Sequence, residues 1–583
     1  MTAPDPTTIR SVLRFIRHYV EMVIAMFAGM LLLAPLWGLV LPPDTGTDVD
    51  VLVMAADMVI GMTVWMRVRR HHWAAVAEMG VAMFAPFLIL LVPYWFGVLA
   101  GHVVMSAGHV LMFVFMTLVM LRRRQEYTRH SHRLTISPKW AKRAAVVLVA
   151  MLVPGAVAAV NTIGKFADLY ERREGTVSVR PVPRTHDPAK PTVALLTSSE
   201  GTNVADLLGP YEVLAGTGRV NTYIVAAGPG TAPLTGGLDL VPDLTFEQLA
   251  DVLTDHNDSL DAIMIPALQQ PPAAEHAAIN DWLRRQSAAG TLTVSVCRGA
   301  QAFAESGLLD GRTATSHWLR LAGLRAAFPQ VKWVAGTRYV DDGNVISTAG
   351  VLSGVDGALR ILERLVDGDT ARAAADRVHW RHYSPFTPGS IPGSAVEPLD
   401  AVVGVNSSYL TGPSTVGVQV VAGIGELELA SAFISYTEHA MVGRTLAIGE
   451  ATVRSRHGLT FVPRATTTAG VGRLLVPGLD AFRGKVAGTG GEVRPEYLHT
   501  TEEFAFDPVV RDIARTYDVR TALWTAKTLE YPVMDVELRG SAWPWAATAV
   551  PLVLALLGAA AAIGSFALVR RLRTRTRTTT QPV

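Results

Sequence analysis

Cysteine is all but missing from this chain: Cys297 is the only one in 583 residues. That excludes an intrachain disulfide framework and leaves stability to burial and hydrogen bonding. Charge is scarce too, at 17% of residues against 50% hydrophobic. A soluble domain carries about 25% charged residues, so part of this chain is expected in a membrane. Lys and Arg are absent from whole stretches, such as 42–50 and the turn near Gly101. The net charge of +2 hides this layout, because 19 of the 52 Lys and Arg lie in four short segments, 10–17, 67–70, 122–143 and 570–577. Outside those segments 33 basic residues face 49 acidic ones, which excludes nucleic acid as a partner for lack of cations to neutralise phosphates.

What is abundant is long apolar runs. Six are long enough to cross about 30 Å of hydrocarbon, at 19–41, 51–66, 73–99, 102–121, 144–160 and 545–569. The first lacks a clear processing site and is expected to remain in the mature protein. Every alternate loop is basic, which places both termini in the cytoplasm and residues 161–543 outside. The expected organisation is a five-span domain at 1–165, a proline-rich spacer at 166–191, an α/β domain at 192–380 and a second linker at 381–414. A further domain at 415–538, a sixth span at 543–570 and a basic cytoplasmic tail at 571–583 complete it. The lipid bilayer is thus the first partner.

Within 192–380, short β-branched runs such as 192–197, 222–226, 262–265 and 292–296 alternate with helical stretches such as 273–289. This pattern predicts a parallel sheet with helices on both faces. The run Thr291-Leu-Thr-Val-Ser-Val-Cys297-Arg-Gly-Ala-Gln301 ends on the cysteine, and Gly299 and Ala300 open a helix. A strand-to-helix turn of this kind presents a nucleophile to backbone N–H groups. With Arg298 beside it, the arrangement is expected to favour the thiolate. Asp206 and Cys297 both lie just beyond strand ends, where such sheets bind ligands. Asp206 as a helix cap and Cys297 as a small buried hydrophobe are the structural alternatives.

Five motifs in order carry a resemblance: Val204-Ala-Asp206-Leu-Leu-Gly-Pro-Tyr-Glu-Val-Leu214, Ile263-Met-Ile-Pro266, the elbow at Cys297, Gly307-Leu-Leu-Asp-Gly311 with Ala314-Thr-Ser-His-Trp318, and Tyr339-Val-Asp-Asp-Gly-Asn-Val-Ile-Ser-Thr-Ala-Gly350. Residues 192–380 thereby resemble the ThiJ/PfpI family of the class I glutamine amidotransferase-like superfamily. The resemblance is nearest to its isonitrile-hydratase-like members and to the sensor-like domains of some transcription regulators. It implies a flavodoxin-like α/β fold without a cofactor, and an acidic residue at Asp206 acting with Cys297. Where the hydratase-type elbow has threonine after the cysteine, this chain has Arg298. Cys297, Asp206 and His317 are therefore the catalytic candidates, with Arg298, Gly299 and Ala300 binding the substrate. A small electrophile is the expected substrate. The alternative is a small-molecule sensor, which would need a partner membrane protein for output.

Beyond the second linker the sequence repeats itself. Gly237-Leu-Asp-Leu-Val-Pro returns as Gly458-Leu-Thr-Phe-Val-Pro, Ile263-Met-Ile-Pro as Leu474-Leu-Val-Pro, and Ala205-Asp206-Leu-Leu-Gly as Leu427-Glu428-Leu-Ala-Ser. A truncated, non-catalytic second copy at 415–538 is expected, too short after Pro477 to rebuild the elbow. It would pair with the first copy as an intramolecular pseudo-dimer. In the bundle, Met54, Met58, Met62 and Met66 form one stripe, and His102, Met105, His109, Met112 and Met116 another. Helix packing explains both. The alternative is a copper or haem site drawing on Asp57, His102, His109 and Met112, since ionisable groups inside spans mark sites.

Overall fold

The computed structural model describes residues 18–19, 21–30, 47–69, 71–95, 101–122, 138–171, 179, 181–391, 393–410, 415–485, 493–533 and 536–578. It forms two compact units, Met1–Ala145 and Val146–Val583.

The first unit is helical: Glu21–Met30, Thr47–Val68, Trp73–Trp95 and Gly101–Arg122. Its core is methionine. Met22, Met26, Met58, Met62, Met66, Met79, Met83, Met112, Met116 and Met120 are all buried, so unbranched thioether chains fill the gaps between helices. Glycine sets the helix spacing. A Cβ on Gly29 would lie 2.8 Å from Gly61 Cα, and one on Gly61 would lie 2.4 Å from the Ala25 carbonyl oxygen.

Among the described residues, three helices are long and apolar enough to cross a membrane: Val51–Val68, Trp73–Leu91 and Trp545–Leu568. Of the other expected spans, the first meets the apolar helix Glu21–Met30, with 31–41 outside the described residues. The fourth falls on Gly101–Arg122 and the fifth on Pro138–Ala167. Most of the basic segment 122–143 also lies outside the described residues.

The second unit holds the sheets. Their strands are β1 (Thr192–Thr197), β2 (Asn221–Ala226), β3 (Ala232–Leu234), β4 (Leu238–Val241), β5 (Leu244–Thr245), β6 (Ala262–Ile265), β7 (Leu292–Ser295), β8 (Thr313–Ala314), β9 (Lys332–Trp333), β10 (Tyr339–Asp342) and β11 (Val345–Thr348) in the first half. In the second half they are β12 (Thr415–Gln419), β13 (Arg444–Ile448), β14 (Val453–Arg454), β15 (Thr460–Val462), β16 (Arg473–Val476) and β17 (Pro495–Tyr497). The main sheet runs β10-β11-β7-β6-β1-β2-β5, parallel except for β10. Strands β1, β2, β6 and β7 are buried along their whole length, which is why they read as unbroken apolar runs rather than alternating ones.

The second half repeats this topology in reduced form. Its sheet is ordered β13-β12-β16-β17 and is parallel throughout. This is the order of β2-β1-β6-β7. After Pro477 a strand, β17, stands in the β7 position. What has shrunk is the helix before it, from Ala273–Ala288 to Leu479–Arg483. Counterparts of the elbow helix Gly299–Glu305 and of β10 and β11 are missing among the described residues. The closing helices return, because Asp518 caps Val519–Thr528 through the Thr521 N–H just as Asp367 caps Gly368–Arg377 through that of Thr370.

The halves meet around an approximate two-fold. In the sheet β14-β15-β4-β3, Leu240 of β4 pairs antiparallel with Phe461 of β15, and these are equivalent residues of the repeat. One hydrophobic core then runs from Leu208, Tyr211 and Val355 to Leu427, Phe433 and Phe506. Each of these side chains contributes roughly 1.5–3 kcal/mol by burial.

Candidate active site

Cys297 sits in the left-handed backbone region, with φ 55°, between the end of β7 and the helix Gly299–Glu305. This is the strained elbow the sequence predicts, and a non-glycine residue adopts it only where its surroundings enforce it. The Ser316 hydroxyl donates to the Cys297 carbonyl at 2.7 Å, and Val296 N–H binds the Ile265 carbonyl at 2.8 Å. Gly299 is required by proximity, since a Cβ there would lie 2.2 Å from the Ile265 carbonyl oxygen. The Gly299 N–H donates to Val296 at 2.7 Å and the Ala300 N–H to Cys297 at 3.4 Å. Both amides are therefore used by the turn. The backbone N–H that reaches the thiol is that of Arg298. The Arg298 guanidinium turns to the Leu268 carbonyl and lines a separate cavity of about 670 Å³ with His276 and Glu305.

Asp206 is completely buried in the first turn of Val204–Ala215. It does not cap that helix. Asn203 does, accepting from the N–H groups of Ala205 and Asp206, both at 3.1 Å. One Asp206 oxygen accepts from Ala267 N–H at 3.0 Å, while Oδ1 is buried with no hydrogen-bond partner among the described residues. Burial pushes its carboxyl well above the usual range, opposed by the Ala267 hydrogen bond. Cys297 moves the same way: burial first, then the Asp206 and Glu438 carboxyls, raise the thiol well above its ordinary value. This corrects the expected thiolate. The helix behind the thiol has only seven residues, and the Asp206, Glu438 and Glu530 carboxyls act to raise it.

His317 is not placed to act as a base for Cys297. Its Nδ1 accepts from Leu319 N–H at 3.3 Å, capping Trp318–Ala327, and its Nε2 bonds the Thr528 carbonyl at 2.8 Å. Burial lowers its pKa, so the ring stays neutral. Both nitrogens are engaged.

Sequence reasoning missed two residues, both from the second half. Glu438, in the π-helical turn Ser435–His439, accepts from Tyr170 Oη at 3.3 Å and Asn203 Nδ2 at 3.2 Å. Glu530 accepts from Trp318 N–H at 3.2 Å and from Gly350 N–H. Both act electrostatically on Cys297. No local motif could have flagged them, because only the packing of the halves brings them there.

In the second half the place of Cys297 is taken by His499, two residues beyond β17. Its Nδ1 accepts from Gly478 N–H at 3.0 Å and its Nε2 donates to the Ala505 carbonyl at 2.9 Å. Glu428, the counterpart of Asp206, is bound by Arg456, which also reaches Glu212 and Asp480. Glu426 is tied to Ser455 and His457. A structural role suits all of them.

In the bundle, Met112 belongs to the methionine core, and His109 stands edge-on to Phe87 with ring centroids 5.5 Å apart. Asp57 is buried. The side chain of His102 lies outside the described residues.

The model of the DJ-1/PfpI family matches residues 192–364. The chain is similar to an isonitrile hydratase of Pseudomonas putida, at 34% identity over 188 residues, covering 32% of this chain and 77% of that one. It is similar to the HTH-type transcriptional regulator CdhR of Pseudomonas aeruginosa at 27% identity over 140 residues, covering 24% of this chain and 39% of the regulator. Among solved structures, a ThiJ/PfpI family protein from Pseudomonas syringae is 29% identical over 34% of this chain and 78% of its own, with a TM-score of 0.28.

Proposed function

Because this chain belongs to the DJ-1/PfpI family through residues 192–364, we propose that it is a membrane-anchored enzyme in which Cys297 attacks a small electrophile and Asp206 manages the proton. The observation that carries this is the pairing of a strained, buried thiol with a buried carboxyl whose Oδ1 has no partner among the described residues. The two groups share an environment that disfavours two negative charges, so the pair holds one proton between them. When a substrate enters, Sγ forms a bond to its electrophilic carbon and the shared proton passes to the substrate. Water then adds at that carbon, and the Sγ–C bond breaks as the sulfur recovers a proton. For an isonitrile, the substrate class in the relative's name, the net result is addition of water to give a formamide. The Arg298 N–H is the amide placed to stabilise charge near the thiol.

The three apolar helices support anchoring, and the alternation of basic loops supports an outer location for residues 161–543 with both termini inside. The approximate two-fold and the shared core support reading the second half as an internal partner that replaces a second copy. Similarity to a transcriptional regulator favours a second reading, a binding protein whose thiol performs no chemistry. The test is mass spectrometry of the full chain in detergent after incubation with a small alkyl isonitrile, with the formamide product followed by NMR. Turnover that Cys297→Ala abolishes supports the enzyme. Saturable binding without adduct or product supports the binding protein.

A further inference from the structure

The cavity of about 670 Å³ that Arg298 lines lies between the loop after β6 and the helices Ala273–Ala288 and Gly299–Glu305. Neither Cys297 nor Asp206 lines it. Its volume falls among those of small-molecule sites, roughly 300–1,000 Å³. The loop is fixed in place, because the Ala267 carbonyl accepts from Asn203 N–H and the Gln269 N–H donates to the Gly201 carbonyl, both at 2.9 Å.

The charges on the cavity wall are not balanced. Glu305 has both carboxylate oxygens engaged, Oε2 by His276 Nε2 and Oε1 by Gln301 Nε2, each at 2.8 Å. Arg298 has no such partner: among the described residues its guanidinium bonds only the neutral Leu268 carbonyl and forms no ion pair. A guanidinium carries five N–H groups in a planar fork, so most of its donors remain for a ligand. The Asp206 and Glu438 carboxyls feel its charge, but burial, the largest effect on each, moves both toward the neutral form. The sixteen-residue helix Ala273–Ala288 adds to the same polarity. Ala273 lines the cavity, no side chain caps that N-terminus, and Glu275 of the first turn is bonded to Ser199 instead.

We propose that this cavity is a binding site for a small monocarboxylate, held by Arg298 and distinct from the thiol site. The carboxylate meets the guanidinium fork through two parallel hydrogen bonds. Leu268, Ile279 and Ala302 give an apolar wall for the body of the ligand, and Gln269 and Gln301 offer amides to a polar group on it. One cation matches one negative charge. A dianion such as phosphate brings a second charge that meets Glu305.

The test is ligand-detected NMR of the full chain in an uncharged detergent, titrated with butyrate and succinamate and, for each, with its neutral amide, butyramide and succinamide. Both carboxylates should bind saturably, with a Kd of about 1 mM or tighter and an advantage over their amides of about tenfold or more, as hydrogen bonds to a charged group provide. Arg298→Gln should remove that advantage. Glu305→Gln takes away the one acidic side chain lining the cavity and should tighten carboxylate binding by about threefold. Cys297→Ala should bind as the native chain does. If Arg298→Gln fails to fold, the acid-to-amide ratio and Glu305→Gln decide. Equal binding of acids and amides, no saturable binding at about 10 mM, tighter binding of inorganic phosphate, or an advantage unchanged in Arg298→Gln overturns the proposal. Loss of binding in Cys297→Ala overturns it too, by placing the ligand at the thiol. The formamide assay of Cys297 is decided separately from all of these results.

Discussion

The elbow can be tested by adding a single methyl group. Gly299→Ala places a Cβ 2.2 Å from the Ile265 carbonyl oxygen and 3.0 Å from that of Pro266. Ordinary contacts of this kind lie beyond about 3.2 Å, so one side must retreat by roughly 1 Å. Neither is free to do so. Ile265 belongs to β6, held between β1 and β7 in the middle of the main sheet, and Gly299 lies two residues after Cys297, which is already strained at φ 55°. The cost should fall at the upper end of overpacking, about 3 kcal/mol. Gly323→Ala is the control, because it lies in the helix Trp318–Ala327 with open space where its Cβ would go. There the same change should stabilise by roughly 0.5–1 kcal/mol through helix propensity. Urea unfolding of the full chain in detergent, followed by tryptophan fluorescence, should move the two midpoints in opposite directions. If Gly299→Ala is as stable as Gly323→Ala, the tight elbow is wrong.

His317→Ala removes a cap and a bond to the Thr528 carbonyl, so it should lower stability by about 1–2 kcal/mol. It should leave the alkylation rate of Cys297 within about twofold, whereas loss of a general base would reduce it by about a hundredfold or more. Burial raises the Asp206 carboxyl above its unfolded value, so the native state binds its proton more tightly and this residue costs stability as pH rises beyond about 4. Asp206→Asn should therefore be more stable than the native chain by a margin that widens from pH 4 to 8. A constant margin in urea titrations would contradict the burial. For topology, a reporter active only in the cytoplasm should be dead when fused at Ser390 and active after Arg577. The reverse pattern would place the α/β region inside.

How much was legible in the chain depends on how local the determinant is. The run ending at Cys297 and Gly299 encodes the elbow directly, because β-branched residues must stop where the backbone turns left-handed. The parallel sheet followed from fully apolar strands alternating with helices, and Met58, Met62, Met66, Met112 and Met116 of the methionine stripes lie in the bundle core. The nature of the thiol was misread, since the sequence shows Arg298 beside it but not that its guanidinium turns away. Nor does it show that Glu438 and Glu530 arrive from the second half. His317 misled for the same reason, because its Nε2 partner is a backbone carbonyl, Thr528, that leaves no trace in side-chain identity. The strand β17 was overlooked because three residues beginning with proline carry little β signal.

The central claim is that Cys297 and Asp206, both buried, form one proton-sharing pair. The direct test is the pH dependence of Cys297 alkylation by iodoacetamide in the native chain and in Asp206→Asn. With burial and the neighbouring carboxyls raising the thiol, the native rate should still be climbing above pH 8.5, near the free value. Asp206→Asn removes a neighbouring negative charge and should bring the inflection down by roughly one unit or more. An inflection below the free-thiol value, or one that Asp206→Asn leaves in place, would contradict the account.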